Sequence, residues 1–130
     1  TVSFIFVLIM ALSLWSIAFL TNFFKFPDKT FNLISNEEWT TLSTRQDIIA
    51  RGELQFKLRC YKCHGYNGEG NDKGPKLIDN DWVNQHSLND IYLLIINGRP
   101  KNGKYGYGKK LLDNDLKAIT LHVQGLNKSL

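Results

Sequence analysis

The chain has 130 residues, which is enough for one small domain and an accessory segment. Its formal net charge is +4, and all 16 basic and 12 acidic residues lie from Lys25 onward. A charge this small, without a stripe of interleaved aromatic and basic residues, argues against nucleic acid as a partner. The uncharged beginning and the charged remainder are expected to occupy different solvents.

The N-terminal segment is apolar throughout. Val2–Phe24 holds 23 residues without a charged side chain, and a helix of that length reaches about 34 Å, enough to cross a bilayer. A cleaved signal peptide is the alternative, but its apolar region is usually shorter and ends at a better small-residue cleavage site. The sequence therefore predicts a single-pass transmembrane anchor over residues 1–24, with the bilayer as a partner.

A connector is predicted over residues 25–43, and a single domain over residues 44–130. Pro27-Asp28-Lys29 ends the apolar run, and Trp39 is expected at the lipid–water interface, which favours indole rings. Pro27 cannot continue a helix ladder, which supports a break at this point.

Three helices are predicted in the domain, over Thr44–Arg59, Ser87–Asn97 and Asp113–Gln124. Ser43 or Thr44 is the candidate N-cap of the first helix. The second begins with Ser87 and Asp90 at near capping-box spacing. The third carries an apolar stripe, and no stretch shows convincing strand alternation. The fold class is therefore all-α.

The motif Cys60-Tyr61-Lys62-Cys63-His64 is the C-x-x-C-H sequence to which haem is attached. Two thiols one helical turn apart can form thioethers with the two vinyl groups of one porphyrin. The histidine that follows is then delivered to the iron. Cys60 and Cys63 are thus the predicted attachment points for one covalent haem c, and His64 is the predicted iron ligand.

Other uses of these cysteines fit less well. A zinc site needs two more ligands, and His86 and His122 lie at unhelpful spacings for one. A thioredoxin-like redox pair needs a βαβ setting, of which the sequence shows no sign. A structural disulfide does not explain His64.

The surroundings of the motif resemble the class I cytochrome c family over residues 46–126. The resemblance rests on Gly52, Phe56, Cys60, Cys63, His64, Gly65, Gly68, Gly70, Gly74, Pro75 and Leu77. It implies three main helices around one covalent haem, and a Pro75 carbonyl that accepts a hydrogen bond from His64 Nδ1. It further implies that Leu77, Trp82 and Tyr105 contact the haem.

A narrower resemblance joins Gly74–Trp82, Ile91–Arg99 and His122–Leu126 to the second haem domain of the CcoP/FixP subunit of cbb-type cytochrome oxidases. One helix followed by one haem domain is also similar to the small subunit of bacterial nitric oxide reductase. These resemblances imply an electron-entry cytochrome, with other subunits of a membrane oxidoreductase and a redox protein as partners. They place the haem domain on the periplasmic face or in the mitochondrial intermembrane space.

The second axial ligand departs from the family pattern. The only methionine is Met10, in the apolar segment. Reading back from Tyr107-Gly108, the family's Met position falls on Lys104 and its Pro position falls on Tyr105. Lys104 must lose its proton to bind iron, which a desolvated pocket favours. The candidates for the sixth ligand therefore remain Lys104, Tyr105, His86 or an open site, with Lys104 first among the side chains.

Three functions follow from these observations. The first is a membrane-anchored electron-transfer subunit of a respiratory chain, which is not itself an enzyme. The second is a haem protein that binds or senses a small ligand at an open iron. The third is a structural subunit whose haem serves assembly.

Overall fold

The computed structural model of the protein describes Val2–Phe23 and residues 30–127. The chain divides into two compact units, residues 1–30 and 31–130. Phe24, at the end of the predicted anchor, and Pro27-Asp28-Lys29, in the predicted connector, lie outside the described residues.

The first unit contains helix α1, Val2–Phe23, where the membrane anchor was predicted. In Val2–Phe23 and residues 30–127, no helix is both long and apolar enough to cross a membrane. The predicted transmembrane anchor is therefore not confirmed.

The second unit is built mainly from helices, as predicted. They are α2 Asn36–Thr44, α3 Gln46–Arg59, α4 Tyr61–His64, α5 Asp81–Gln85, α6 Leu88–Asn97 and α7 Asp113–Gly125. A short antiparallel hairpin, absent from the sequence prediction, joins β1, Gly98–Arg99, to β2, Lys104–Tyr105. Its two strands are connected by a 3₁₀ turn over Pro100–Asn102.

The predicted helices over residues 44–59, 87–97 and 113–124 are present as α3, α6 and α7. At the start of α6 the Ser87 hydroxyl accepts from Asp90 N–H and the Asp90 carboxylate accepts from Ser87 N–H, which confirms the capping box. The predicted start of α3 is wrong. Ser43 and Thr44 belong to the last turn of α2, where their hydroxyls donate to carbonyls one turn back, and α3 begins at Gln46.

The predicted connector contains a helix that packs into the domain. α2 begins after Ser35, whose hydroxyl accepts from Glu38 N–H at 3.1 Å. Trp39 is 3% exposed, and its ring lies edge-on to Tyr92 with 5.9 Å between centroids. The expectation of Trp39 at a lipid–water interface is therefore wrong, because the indole is in the protein core.

The core is centred on the crossing of α3 and α7. A Cβ placed on Gly52 would lie 2.3 Å from the Ala118 carbonyl oxygen, so only glycine allows the two helices to approach this closely. Phe56, one turn further on, is fully buried, as are Leu116 and Ile119 of the predicted α7 stripe. The crossing fixes the end of α3, where Cys60 follows.

Candidate haem-attachment site

The two cysteines lie on one turn at the junction of α3 and α4. Cys60 ends α3, and its carbonyl accepts hydrogen bonds from the N–H groups of Cys63 and His64, at 3.2 and 3.0 Å. Both thiols are half-buried, and neither forms a disulfide. The short helix thus presents two unpaired sulfurs and an imidazole from five consecutive residues.

The Cys60 thiol lies in an apolar setting. Burial raises its pKa to about 11, and the nearby Arg59 only partly opposes that effect. A thioredoxin-like pair works through a thiol whose pKa is lowered. The environment of Cys60 therefore favours a neutral sulfur, as in a thioether, over a reactive thiolate.

The His64 ring is oriented by the backbone. Its Nδ1 lies 2.8 Å from the Pro75 carbonyl oxygen, which is the contact that the family resemblance implied. A neutral imidazole that donates through Nδ1 has its lone pair at Nε2, the atom that a metal would take.

The loop that brings Pro75 to His64 is held by its own backbone. Gly70 N–H donates to the His64 carbonyl, and Leu77 N–H donates to the Gly68 carbonyl, both at 2.7 Å. Gly74 packs directly on the cysteine turn, since a Cβ there would lie 2.7 Å from the Cys63 carbonyl oxygen. We call residues 60–77 the attachment loop.

Tyr107 is a site residue that the sequence analysis missed, having used it only to align the loop. Its half-buried ring packs against the same hydrophobic core as Cys60, and burial raises the pKa of its phenol. Its N–H donates to the Ile95 carbonyl at 2.8 Å. The aromatic residue before Gly108 was the sequence signal for it.

Trp82 and His86 form a stack beside the core. Their rings lie 4.0 Å apart and nearly parallel, and His86 Nδ1 is 2.7 Å from the Trp82 carbonyl oxygen. The Arg99 guanidinium lies over the indole at 5.8 Å. Trp82 and Leu77 are both half-buried and pack against the hydrophobic core. His86 therefore contacts Trp82 in two ways, through a hydrogen bond at Nδ1 and through the stacking of one ring face.

The two residues at the family's Met and Pro positions lie on strand β2. Lys104 Nζ donates to the Lys73 carbonyl at 3.2 Å, so its ammonium is held by the attachment loop. Tyr105 is 76% exposed. Neither side chain is buried, although a neutral lysine ligand needs a desolvated setting.

These residues fit a covalently attached haem. Two unpaired sulfurs on one turn, a backbone-oriented imidazole and half-buried apolar neighbours define a small helical haem-attachment domain. The chain belongs to the cytochrome c family, whose model, "Cytochrome c", matches residues 49–127. The cofactor is accordingly covalent haem c.

Part of the chain is similar to curated subunits of cbb3-type cytochrome c oxidases. The chain is 33% identical over 73 residues to the cbb3-type cytochrome c oxidase subunit FixP of Sinorhizobium medicae, covering 48% of this chain and 25% of that protein. It is 39% identical over 54 residues to FixP of Rhizobium etli, covering 42% and 19%. It is 38% identical over 47 residues to the subunit CcoP of Rhodobacter capsulatus, covering 36% and 16%. The matched part thus spans a quarter or less of each relative.

Proposed function

We propose that this chain is a monohaem cytochrome that passes electrons within a membrane oxidoreductase and does not itself transform a substrate. The observation that carries the proposal is the cysteine turn with the His64 ring held on the Pro75 carbonyl at 2.8 Å. Cys60 and Cys63 hold the haem as thioethers, and His64 Nε2 is the iron ligand. Haem c, when bound, supplies the one-electron redox couple.

The chain's own residues orient this site and limit water access to it. The Pro75 carbonyl keeps the proton on His64 Nδ1, which raises the basicity of Nε2. Leu77, Trp82 and Tyr107 are half-buried and pack against the same hydrophobic core as Cys60. Such a setting favours electron transfer through a fixed geometry with little reorganisation.

The partner class follows from the relatives. FixP and CcoP are subunits of cbb3-type cytochrome c oxidases, and we assign to this chain an equivalent place beside the other subunits of such a complex.

We retain residues 1–24 as the membrane attachment, with the domain on the periplasmic face or in the intermembrane space. The uncharged run before Lys25 supports that assignment. Membrane fractionation with a high-salt wash tests it, since release by salt would refute a bilayer anchor.

Covalent attachment is the first test. The denatured protein should keep its haem through acidified organic extraction and offer no free thiol. Replacing both Cys60 and Cys63 by Ala should release the haem, whereas the matched control Lys62→Ala, at an exposed position between them, should not. Haem extracted from the unmodified chain would overturn the proposal.

A second function, binding of a small ligand at an open iron, is favoured by the placement of Lys104. Its ammonium is engaged by the Lys73 carbonyl, and the position carries no Met. Carbon monoxide should bind the reduced protein rapidly if the iron is open and should not bind if a sixth ligand is present.

Substitutions of Lys104 test whether it is the sixth ligand. Lys104→Ala should change the spin state only if Lys104 is that ligand, and Lys104→Met should raise the reduction potential if the loop reaches the iron. Lys101→Ala is the matched control.

Docking is proposed to use the basic stretch between Ile91 and Leu112. It contains no acidic residue and five basic ones, namely Arg99, Lys101, Lys104, Lys109 and Lys110. If this stretch steers an acidic redox partner, association should slow as salt rises, because screening shortens the reach of exposed charges to about 8–10 Å. A rate of electron transfer that is indifferent to ionic strength would refute this role.

A further inference from the structure

A segment that precedes the family match is built into the domain. The family model begins at residue 49, yet Ile34, Trp39 and Leu42 are buried members of the same hydrophobic core as Phe56. We call residues 31–44 the N-terminal strap. Burial of this kind shows that the strap is part of the folded unit.

The strap is tied to α6 by one amide side chain. Asn89 Oδ1 accepts from Ile34 N–H at 3.0 Å and from the Trp39 indole N–H at 3.3 Å. Asn89 Nδ2 donates to the Ile34 carbonyl at 2.8 Å. The side chain thus pairs with both backbone groups of Ile34, which sets the position of the strap along α6.

A second tie joins the strap to α7. Glu38 and Asp113 each approach Lys117 Nζ at 2.8 Å. Burial alone would lower the pKa of Lys117, but these two ion pairs raise it above its ordinary value. Asp113 also accepts a short hydrogen bond from the Tyr92 hydroxyl. The strap is therefore tied to both α6 and α7.

Phe31, at the start of the strap, packs on the loop that carries Tyr107. A Cβ placed on Gly108 would lie 3.1 Å from Phe31 Cε2 and 2.8 Å from Ile96 Cγ2, so both side chains pack closely on Gly108. The Phe31 ring is also edge-on to Tyr92, with 6.3 Å between centroids. We call residues 106–111 the Tyr107 loop.

The backbone of this loop is paired with the end of α6. Tyr107 N–H donates to the Ile95 carbonyl at 2.8 Å, and Gly108 N–H donates to the Ile96 carbonyl at 3.1 Å. Gly106 leaves no room for a side chain, because a Cβ there would lie 1.9 Å from the Ile96 carbonyl oxygen. The loop is therefore held by α6 through hydrogen bonds and close backbone packing, and by Phe31 through side-chain packing.

We propose that Phe31 is a positioning residue: together with Ile96 it packs on the Tyr107 loop and so keeps Tyr107 in place against the core that Cys60 also contacts. Its effect on the loop stands on the packing alone, and its effect on the haem rests on the proposed function. A residue outside the C-x-x-C-H motif and before the matched family region thereby affects the environment of the cofactor.

Hydrogen exchange of the loop tests the positioning role without reference to haem. Phe31→Ala should speed exchange of the Tyr107 and Gly108 amides about tenfold, because amides exchange through local opening. Phe31→Leu should retain most of the protection and serves if the alanine variant does not fold. Leu33→Ala, at a residue that is 70% exposed, is the matched control. Equal loop exchange in Phe31→Ala and Leu33→Ala would overturn the proposal, and so would a uniform rise that includes the α3 and α7 amides.

The haem provides the second readout. Phe31→Ala should shift the reduction equilibrium by about threefold, or about 30 mV for a one-electron couple, and should alter the visible spectrum. In a Tyr107→Leu background the same substitution should have no further effect, because Phe31 acts through Tyr107. A shift that persists in that background would overturn the route through Tyr107. If the loop exchanges faster but no covalent haem is found, the proposed function has failed and the positioning role has not.

Discussion

The attachment loop and the Tyr107 loop are held in different ways. In the attachment loop, His64 meets the Pro75 carbonyl over a separation of 11 residues, and Asn71 Nδ2 donates to the Lys62 carbonyl over nine. The Tyr107 loop is covered by Phe31, whose strap is joined to α6 by hydrogen bonds spanning 55 residues. One side of the site is therefore local, and the other depends on distant parts of the chain.

This difference separates the residues proposed to attach the haem from the residues proposed to adjust its environment. The residues that receive the haem are arranged by a short stretch that can form its hydrogen bonds without the strap. The Tyr107 loop acquires its geometry only when α6, α7 and the strap have packed. A sequence can therefore carry the attachment motif unchanged while the surroundings of the cofactor vary through substitutions far from it.

Trp39→Ala should lower the unfolding free energy the most, and it should do so by loosening the strap that covers the Tyr107 loop. Trp39 is 3% exposed, and truncating a buried aromatic residue costs about 3–5 kcal/mol of unfolding free energy. Denaturant unfolding of the haem-loaded protein measures the loss. Thr40→Ala, at the exposed neighbouring position, is the control and should change little. A cost below about 0.5 kcal/mol, within the range of ordinary surface substitutions, would mean that residues 31–44 are only a connector.

Gly74→Ala should disturb the attachment loop with a smaller loss. The added Cβ would lie 2.7 Å from the Cys63 carbonyl oxygen and 2.9 Å from Cys63 Cβ, and overpacking of this kind costs about 1–3 kcal/mol. Covalent haem yield should fall with it, because the cysteine turn must shift.

The control for Gly74→Ala is Gly125→Ala, where an added Cβ meets nothing within 4 Å. That variant lies at the end of α7 and should be neutral or slightly stabilising, since alanine favours a helix by up to about 1 kcal/mol over glycine. Equal haem yield from both variants would contradict the close packing of Gly74 on the cysteines.

Substitution of His122 is expected to have the smallest effect on the unfolding free energy. His122 lies at the crossing of α3 and α7. Its ring lies 4.9 Å from that of Phe56, and burial lowers its pKa, opposed by Glu53 and assisted by Lys57. The neutral ring is favoured in the fold. Its contribution to stability is therefore complete above the ordinary pKa, about 6.5, and is lost as the pH falls through the lower folded-state value.

His122→Gln should accordingly flatten the stability profile below neutrality, measured as unfolding free energy at several pH values. His86→Gln is the matched control and should leave that part of the profile in place. An unchanged acid slope in His122→Gln would show that other groups govern it.

The attachment motif and the main helices were accessible from the sequence because they depend on neighbours a few residues apart. Cys60, Cys63 and His64 fall on one turn through backbone hydrogen bonds that any helical turn makes. Ser87 and Asp90 predict the start of α6 through a reciprocal cap three residues long. The Gly52–Phe56 face of α3 follows from helical periodicity, and the crossing with α7 uses that face.

The strap, the hairpin and the role of Tyr107 were decided by tertiary structure. α2 is a polar sequence, and its Trp39 has no apolar repeat around it that distinguishes a core position from an interfacial one. Lys104 lies at the family's Met position, but its ammonium bonds to the Lys73 carbonyl, 31 residues away. Such contacts exist only after distant segments have packed, because their stabilisation must first offset the entropy of closing long loops. For that reason the sequence alone predicts where the haem attaches, and only the fold decides which residues pack around the cysteine motif.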